Sequence, residues 1–204
     1  MFQRHLWRPG WARLALLFAG LWLFGSGEAM IVAAELGNSP WTVLAEGVAE
    51  NTALDIGAAT IVISLLVLAA WFPLRQAPGL GTVANAIVIG LAIGVMLPLL
   101  PADPDAAVAW PLLFGGIACV AVGGGIYLAA RLGPGPRDGL MTGLHARTGH
   151  SLRLWRTLIE VSAMAIGFAL GGTVGFGTAT FALLIGPGVQ KALEIAAPRM
   201  RALR

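Results

Sequence analysis

Long apolar stretches with few charges dominate this chain. Six runs stand out, at Leu14–Ala34, Ile56–Leu74, Thr82–Leu100, Pro111–Ala130, Leu154–Leu170 and Thr178–Ala196. A bilayer core about 30 Å thick takes roughly 20 apolar residues of helix to cross. Unpaired backbone groups are costly in lipid, so runs of this length without strict alternation predict helices rather than barrel strands. Composition agrees: 57% of the 204 residues are apolar and 11% charged, against roughly 45–50% and about 25% in soluble domains. The expectation is a single all-α membrane domain over residues 1–204 with six transmembrane helices.

Charge placement predicts its orientation. Lys and Arg in short loops mark the cytoplasmic side. Arg4, Arg8 and Arg13 precede the first run, and Arg75 follows the second. Arg131, Arg137, Arg147, Arg153 and Arg156 crowd the connection between the fourth and fifth, and Lys191, Arg199, Arg201 and Arg204 end the chain. These are all 13 basic residues. The remaining connections carry Glu35, Glu46, Glu50, Asp55, Asp103 and Asp105 instead. Both termini are therefore expected in the cytoplasm. The net charge of +3 reads as a topology signal with lipid headgroups as partners, and nucleic acid is not expected. Val32-Ala33-Ala34 resembles a signal cleavage site, but the run before it is long for a signal peptide.

A repeat organises the rest. Sliding the sequence by 96 positions pairs Leu36 with Leu132, Gly37 with Gly133, Pro40 with Pro136, Gly79 with Gly175, Gly81 with Gly177 and Thr82 with Thr178, without a gap. Repeat 1 covers about residues 14–100 and repeat 2 about 111–196. Each holds three spans, so the second must enter the membrane from the opposite side. Charge reverses accordingly: Glu35 becomes Arg131, and Trp41 becomes Arg137. Inverted-topology three-helix repeats are a transporter architecture, with substrate sites where the repeats meet.

Two motifs recur within the repeats. Leu-Gly-x-x-Pro, at Leu36–Pro40 and Leu132–Pro136, precedes helical spacing (Trp41, Leu44, Ala45, Val48; then Leu140, Met141, Leu144). Proline suits the first turn of a helix, and so few residues cannot span, so each repeat is expected to carry a short interfacial or re-entrant helix. The second motif, Gly-x-Gly-Thr, supplies Gly79, Gly81, Thr82, Gly175, Gly177 and Thr178 as candidates along a substrate path, because helix N-termini favour polar or anionic groups; tight packing through small residues is the competing reading. Asn85 and Arg137 join them, Arg137 as an attractor of anions beside the short helix, although Arg137-Asp138 also reads as a loop salt bridge. Glu28 and Glu160 fall inside spans, where ionisable groups usually face a cavity or a partner; both are candidates for ion coupling. Glu160 can also pair with Arg156 at i, i+4, and Glu28 lies near enough to the end of its span to reach the interface. His5, His145 and His150 lack metal-ligand spacing, and the lone Cys119 permits no disulfide. No nucleophile elbow, phosphate loop or zinc motif appears, so no enzyme activity, metal or cofactor is expected.

Four blocks in order, LGNSPWTVLAEGVA, WFPLRQAPGLGTVANAIVIG, LGPGPRDGLMTGL and GGTVGFGTATFALLIGPGVQ, resemble the YczE/YitT-like family of small bacterial membrane proteins, the YczE branch more closely. A Trp-Asp pair is common there after the first Pro; this chain has Trp41-Thr42, so any role of that acid is absent. The resemblance implies a multi-pass protein of the bacterial inner membrane and carries over no substrate. The functional expectation is a secondary transporter, or exporter, of a small organic solute working by alternating access, with an unidentified small-molecule substrate and a homodimer as a reasonable assembly for so thin a bundle. The alternative from another class is a scaffold or accessory protein that stabilises a partner and transports nothing.

Orientation is testable directly. In a Cys119→Ser background, Asp103→Cys should react with a membrane-impermeant maleimide from outside intact spheroplasts and Arg147→Cys only after permeabilisation. Equal labelling of the two would sink the predicted topology.

Overall fold

A computed structural model describes Leu6, Trp7 and residues 9–201, with side chains through Ala197. Arg4, His5, Arg8, Arg204 and the side chains of Arg199 and Arg201 lie outside the described residues. Among those described there are nine α-helices and no strand: α1 Trp11–Ala33, α2 Pro40–Glu50, α3 Ile56–Ala69, α4 Trp71–Leu74, α5 Leu80–Met96, α6 Ala106–Ala129, α7 Pro136–Thr148, α8 Leu152–Ala169 and α9 Phe176–Arg201. A 3-10 turn, Leu97–Leu99, extends α5. The protein is all-α, and among the described residues four helical segments are long and apolar enough to cross a membrane: Trp11–Ala33, Ile56–Leu74, Leu80–Leu99 and Ala106–Ala129. Helices also form at the fifth and sixth apolar runs, but α8 carries Arg153, Arg156 and Glu160, and α9 carries Lys191 and Glu194.

Local chemistry sets the helix ends. Asp55 caps α3 by accepting from Ala58 N at 2.7 Å, and Asp105 caps α6 by accepting from Val108 N at 3.1 Å. That second cap starts α6 five residues before the predicted Pro111 and leaves this proline inside the helix. The two short helices expected after Leu-Gly-x-x-Pro are α2 and α7, each opening on its proline. At the basic end, Arg13 donates to the carbonyl of Ala130 from Nε at 3.1 Å and Nη2 at 2.7 Å, where the last carbonyls of α6 favour a cation.

Shifting by 96 positions turns one set of contacts between the halves into its reciprocal. Helices α1 and α6 cross at glycines: a Cβ on Gly20 would lie 2.9 Å from Gly123 O, and one on Gly27 would lie 2.6 Å from Gly116 O. Gly116 is the counterpart of Gly20, and Gly123 of Gly27. The loops beyond the crossing exchange hydrogen bonds in the same manner. Gly177 N donates to Leu36 O at 2.6 Å, and Gly81 N donates to Leu132 O at 2.8 Å. Gly37 and Gly133, with φ of 106° and 119°, adopt a backbone that other residues rarely reach. Each also lies against the opposite Gly-x-Gly-Thr turn, so a side chain at either would displace it.

One packing relation is not reciprocal. Helix α3 is pressed onto α5, where a Cβ on Gly57 would lie 2.5 Å from Gly90 O and one on Gly90 equally close to Gly57 O. The counterparts are Arg153 on α8 and Gly186 on α9. Nothing lies within 4 Å of a Cβ on Gly186, and α8 and α9 stand apart. Instead α8 rests on α2, where a Cβ on Gly47 would lie 2.5 Å from Gly167 O. Asn51 Nδ2 ties α2 to Leu170 O at 2.7 Å.

Overpacking a tight interior typically costs about 1–3 kcal/mol. Gly27→Leu should lower stability by about that amount, while Gly186→Ala should be neutral or gain up to about 1 kcal/mol from helix propensity. Thermal unfolding of the two variants in mild detergent checks this; similar transitions would contradict the close crossing.

Candidate functional site

The asymmetry leaves a cavity of about 520 Å³ between α1, α6 and α7 on one side and α8 and α9 on the other, with the start of α2 and part of α5 closing its wall. Its deepest charge is Glu28. The side chain does not reach the interface: Glu28 is only 2% exposed, because the turn into α2 folds back over α1 and brings two hydroxyls to it. Ser39 Oγ donates to Glu28 Oε2 at 2.9 Å and Thr42 Oγ1 donates to the same oxygen at 2.8 Å. A buried carboxylate is tolerable when hydrogen-bonded in this way.

Arg137 stands in the first turn of α7, not in a loop, and its guanidinium lies 4.7 Å from the centre of the Trp41 ring. These two residues occupy equivalent positions of the 96-residue spacing. The expected salt bridge between Arg137 and Asp138 does not form. Neighbours on a helix point about 100° apart, so they do not face each other. Asp138 accepts from the Tyr127 hydroxyl at 3.4 Å instead, a weak bond at that length. Arg137 makes no hydrogen bond among the described residues. Burial pushes Asp138 above the ordinary carboxylate range, and Arg137 and the Tyr127 hydroxyl oppose the shift. Burial lowers Arg137, against the pull of Glu28 and Asp138. By exposed surface Arg137 is only half-buried and Asp138 exposed, yet both line the cavity, so the surface they show faces a recess walled by protein.

The predicted candidates divide into two groups. Glu28, Asn85, Arg137 and Glu160 line this one cavity. Glu160 does so as half of an ion pair, with Arg156 Nε 3.0 Å from Glu160 Oε1, the i, i+4 contact expected from their spacing. Asn85 borders Gly135 at the start of α7. Gly79, Gly81, Thr82, Gly175, Gly177 and Thr178 stand outside the cavity wall. There the glycines press against Leu36, Gly37, Leu132 and Gly133, while Thr82 Oγ1 and Thr178 Oγ1 accept from Gly79 N and Gly175 N, both at 3.2 Å. His145 is tied to the loop, its Nδ1 2.6 Å from His150 O, and no group of residues among those described could hold a metal ion.

Sequence reasoning passed over Ser39, Thr42, Tyr127 and Trp71. Tyr127 is the one tyrosine of the chain and lies in a span, where a buried hydroxyl needs a partner; that signal was available. Trp71 gave none. Its ring fills the space over Gly139 and its Nε1 donates to Pro136 O at 2.8 Å, which fixes the start of α7 and so the place of Arg137.

The family of unknown function DUF6198 matches residues 11–193. An uncharacterized protein of Haemophilus influenzae is 41% identical over 194 residues, covering 94% of this chain and 88% of its own. The uncharacterized membrane protein YczE of Bacillus subtilis is 30% identical over 179 residues, covering 85% and 82%. No solved structure matches.

The hydroxyl cradle makes a measurable claim. A hydrogen bond to a charged group contributes about 1.5–3 kcal/mol, so Thr42→Val should destabilise the protein by about that amount while Thr42→Ser stays near wild type. Unfolding in detergent checks it, and equal stability of the two variants would rule the cradle out.

Proposed function

The chain belongs to the family of unknown function DUF6198 and is similar to the membrane protein YczE, and on that premise we propose that it is a six-span secondary transporter of a small organic solute. In this reading α8 and α9 complete the set of spans, the two halves are inverted repeats, and both termini lie in the cytoplasm of a bacterial inner membrane. One observation carries the reading: the cavity between the halves is lined by charged side chains from α1, α7 and α8. A scaffold needs only a packed interior, and ionisable groups inside a membrane domain are costly unless they serve a path or partner. The reciprocal contacts at 96-residue spacing support the repeat, and the charge reversal between its copies supports the inversion.

Alternating access then has a structural basis. The α3–α5 pair is closed and the α8–α9 pair open, and exchanging these two arrangements would carry the cavity from one side to the other. Arg156 pairs with Glu160, which leaves Glu28, beside two exchangeable hydroxyl donors, as the better coupling group for a proton. No step requires a nucleotide, a metal or a covalent reaction.

The test compares small molecules inside cells and in the medium for strains carrying the wild type, no copy, or Glu28→Gln. The expected result is one solute that accumulates on the same side of the membrane in both altered strains. A deletion that shifts no solute would sink transport, and a Glu28→Gln strain that behaves as wild type would sink coupling through that residue.

A further inference from the structure

The charges facing the cavity define more than a path. Arg156 and Glu160 neutralise one another, which leaves Glu28, Asp138 and Arg137 as the charges available to a ligand. Glu28 is engaged through Oε2 by two hydroxyls. Asp138 accepts the weak Tyr127 bond and lies by the Gly135 backbone amide, with no cation paired to it among the described residues. Arg137 has five N–H donors, none of them bonded within the described residues. Its guanidinium carbon lies 4.7 Å from the centre of the Trp41 ring, and its unbonded N–H donors match a carboxylate or similar oxyanion.

Ligand classes can be judged against this set. A purely anionic molecule that reached Arg137 would come to rest beside the carboxylates of Glu28 and Asp138. A purely cationic one drawn to Asp138 would lie beside the Arg137 guanidinium. Only a molecule carrying both signs meets Arg137 and Asp138 each with its opposite, while Glu28 keeps its two hydroxyls. The rest of the wall is apolar or aromatic, with Phe24, Ile89, Phe181 and Ile185 among its members, and it suits an apolar remainder.

We propose that the cavity binds a small zwitterion with an apolar side group, its oxyanion on Arg137 and its ammonium on Asp138. The proposal rests on the transporter reading of the same cavity and specifies its substrate class.

Phenylalanine, phenethylamine and hydrocinnamate share one skeleton and differ only in their charged groups, so they serve as probes. Isothermal titration of the full chain, purified in mild detergent, should show phenylalanine binding at least about tenfold more tightly than either analogue, the usual effect of losing one hydrogen bond to a charged partner. Arg137→Gln should abolish the advantage of phenylalanine over phenethylamine, and Asp138→Asn its advantage over hydrocinnamate. The wild-type comparison stands alone if either variant fails to fold. Hydrocinnamate binding as tightly as phenylalanine would make this an anion site, phenethylamine binding as tightly would make it a cation site, and no binding of any probe would exclude an apolar zwitterion; each overturns the proposal. Failure of the transporter reading looks different: phenylalanine would bind with the expected discrimination yet show no flux in proteoliposomes. Conversely, a solute moved in cells that carries a single sign of charge would overturn the zwitterion while leaving transport intact.

Discussion

The crossing of α1 and α6 is the contact on which the other arrangements depend. Without side chains at Gly20, Gly27, Gly116 and Gly123 the two backbones approach until each glycine meets the other helix's carbonyls. In a lipid setting close packing replaces the hydrophobic drive between helices, so small residues are the means of association. That approach brings the loops after each helix within reach of the opposite half, where Leu36 and Leu132 accept from Gly177 and Gly81. Both short helices, α2 and α7, start from those loops. Their first turns supply Trp41, Thr42, Arg137 and Asp138, and the polar wall of the cavity is thus placed by a crossing that contains no polar side chain.

Within that wall Glu28, Arg137 and Glu160 each have a reason to be tolerated. Glu28 has its two hydroxyls, Arg137 the indole face, and Glu160 its arginine four residues before it. An arginine over an aromatic ring is weakly hydrated and partly neutralised by the quadrupole, which lets it stand in the cavity without an ion pair. The void itself comes from a place where the halves differ in packing. Gly57 lets α3 close on α5; Arg153, at the same position of the other half, cannot bring α8 against α9 in this way.

Much of the fold could be read from the residues. Long apolar runs locate the principal helices, proline after Leu-Gly-x-x locates the short ones, and the spacing of Arg156 and Glu160 anticipates their pairing. What escaped had physical causes. Asp105 moved the start of α6 because an N-cap outweighs a proline as a boundary signal. Glu28 was expected near the interface because its depth depends on α2 folding back, a tertiary event with no local periodicity. The Gly-x-Gly-Thr turns stand where two halves clasp, and nothing in four residues distinguishes a clasp from a ligand mouth. Trp71 over Gly139 is a contact between distant segments, invisible to any window of sequence.

On the proposed inverted-repeat reading, the meeting of Trp41 with Arg137 has a consequence for how such a protein can arise. Were the two halves separate identical chains forming a symmetric dimer, any residue that met its own counterpart on the symmetry axis would meet a copy of itself: arginine would face arginine, or tryptophan would face tryptophan. Like charges would repel, and a pair of indoles would offer no guanidinium. Joined in one polypeptide, the halves can diverge at that one position and set a cation against a π face. The covalent link thus does more than hold two bundles together. It removes the requirement that the centre of the molecule be chemically the same on both sides.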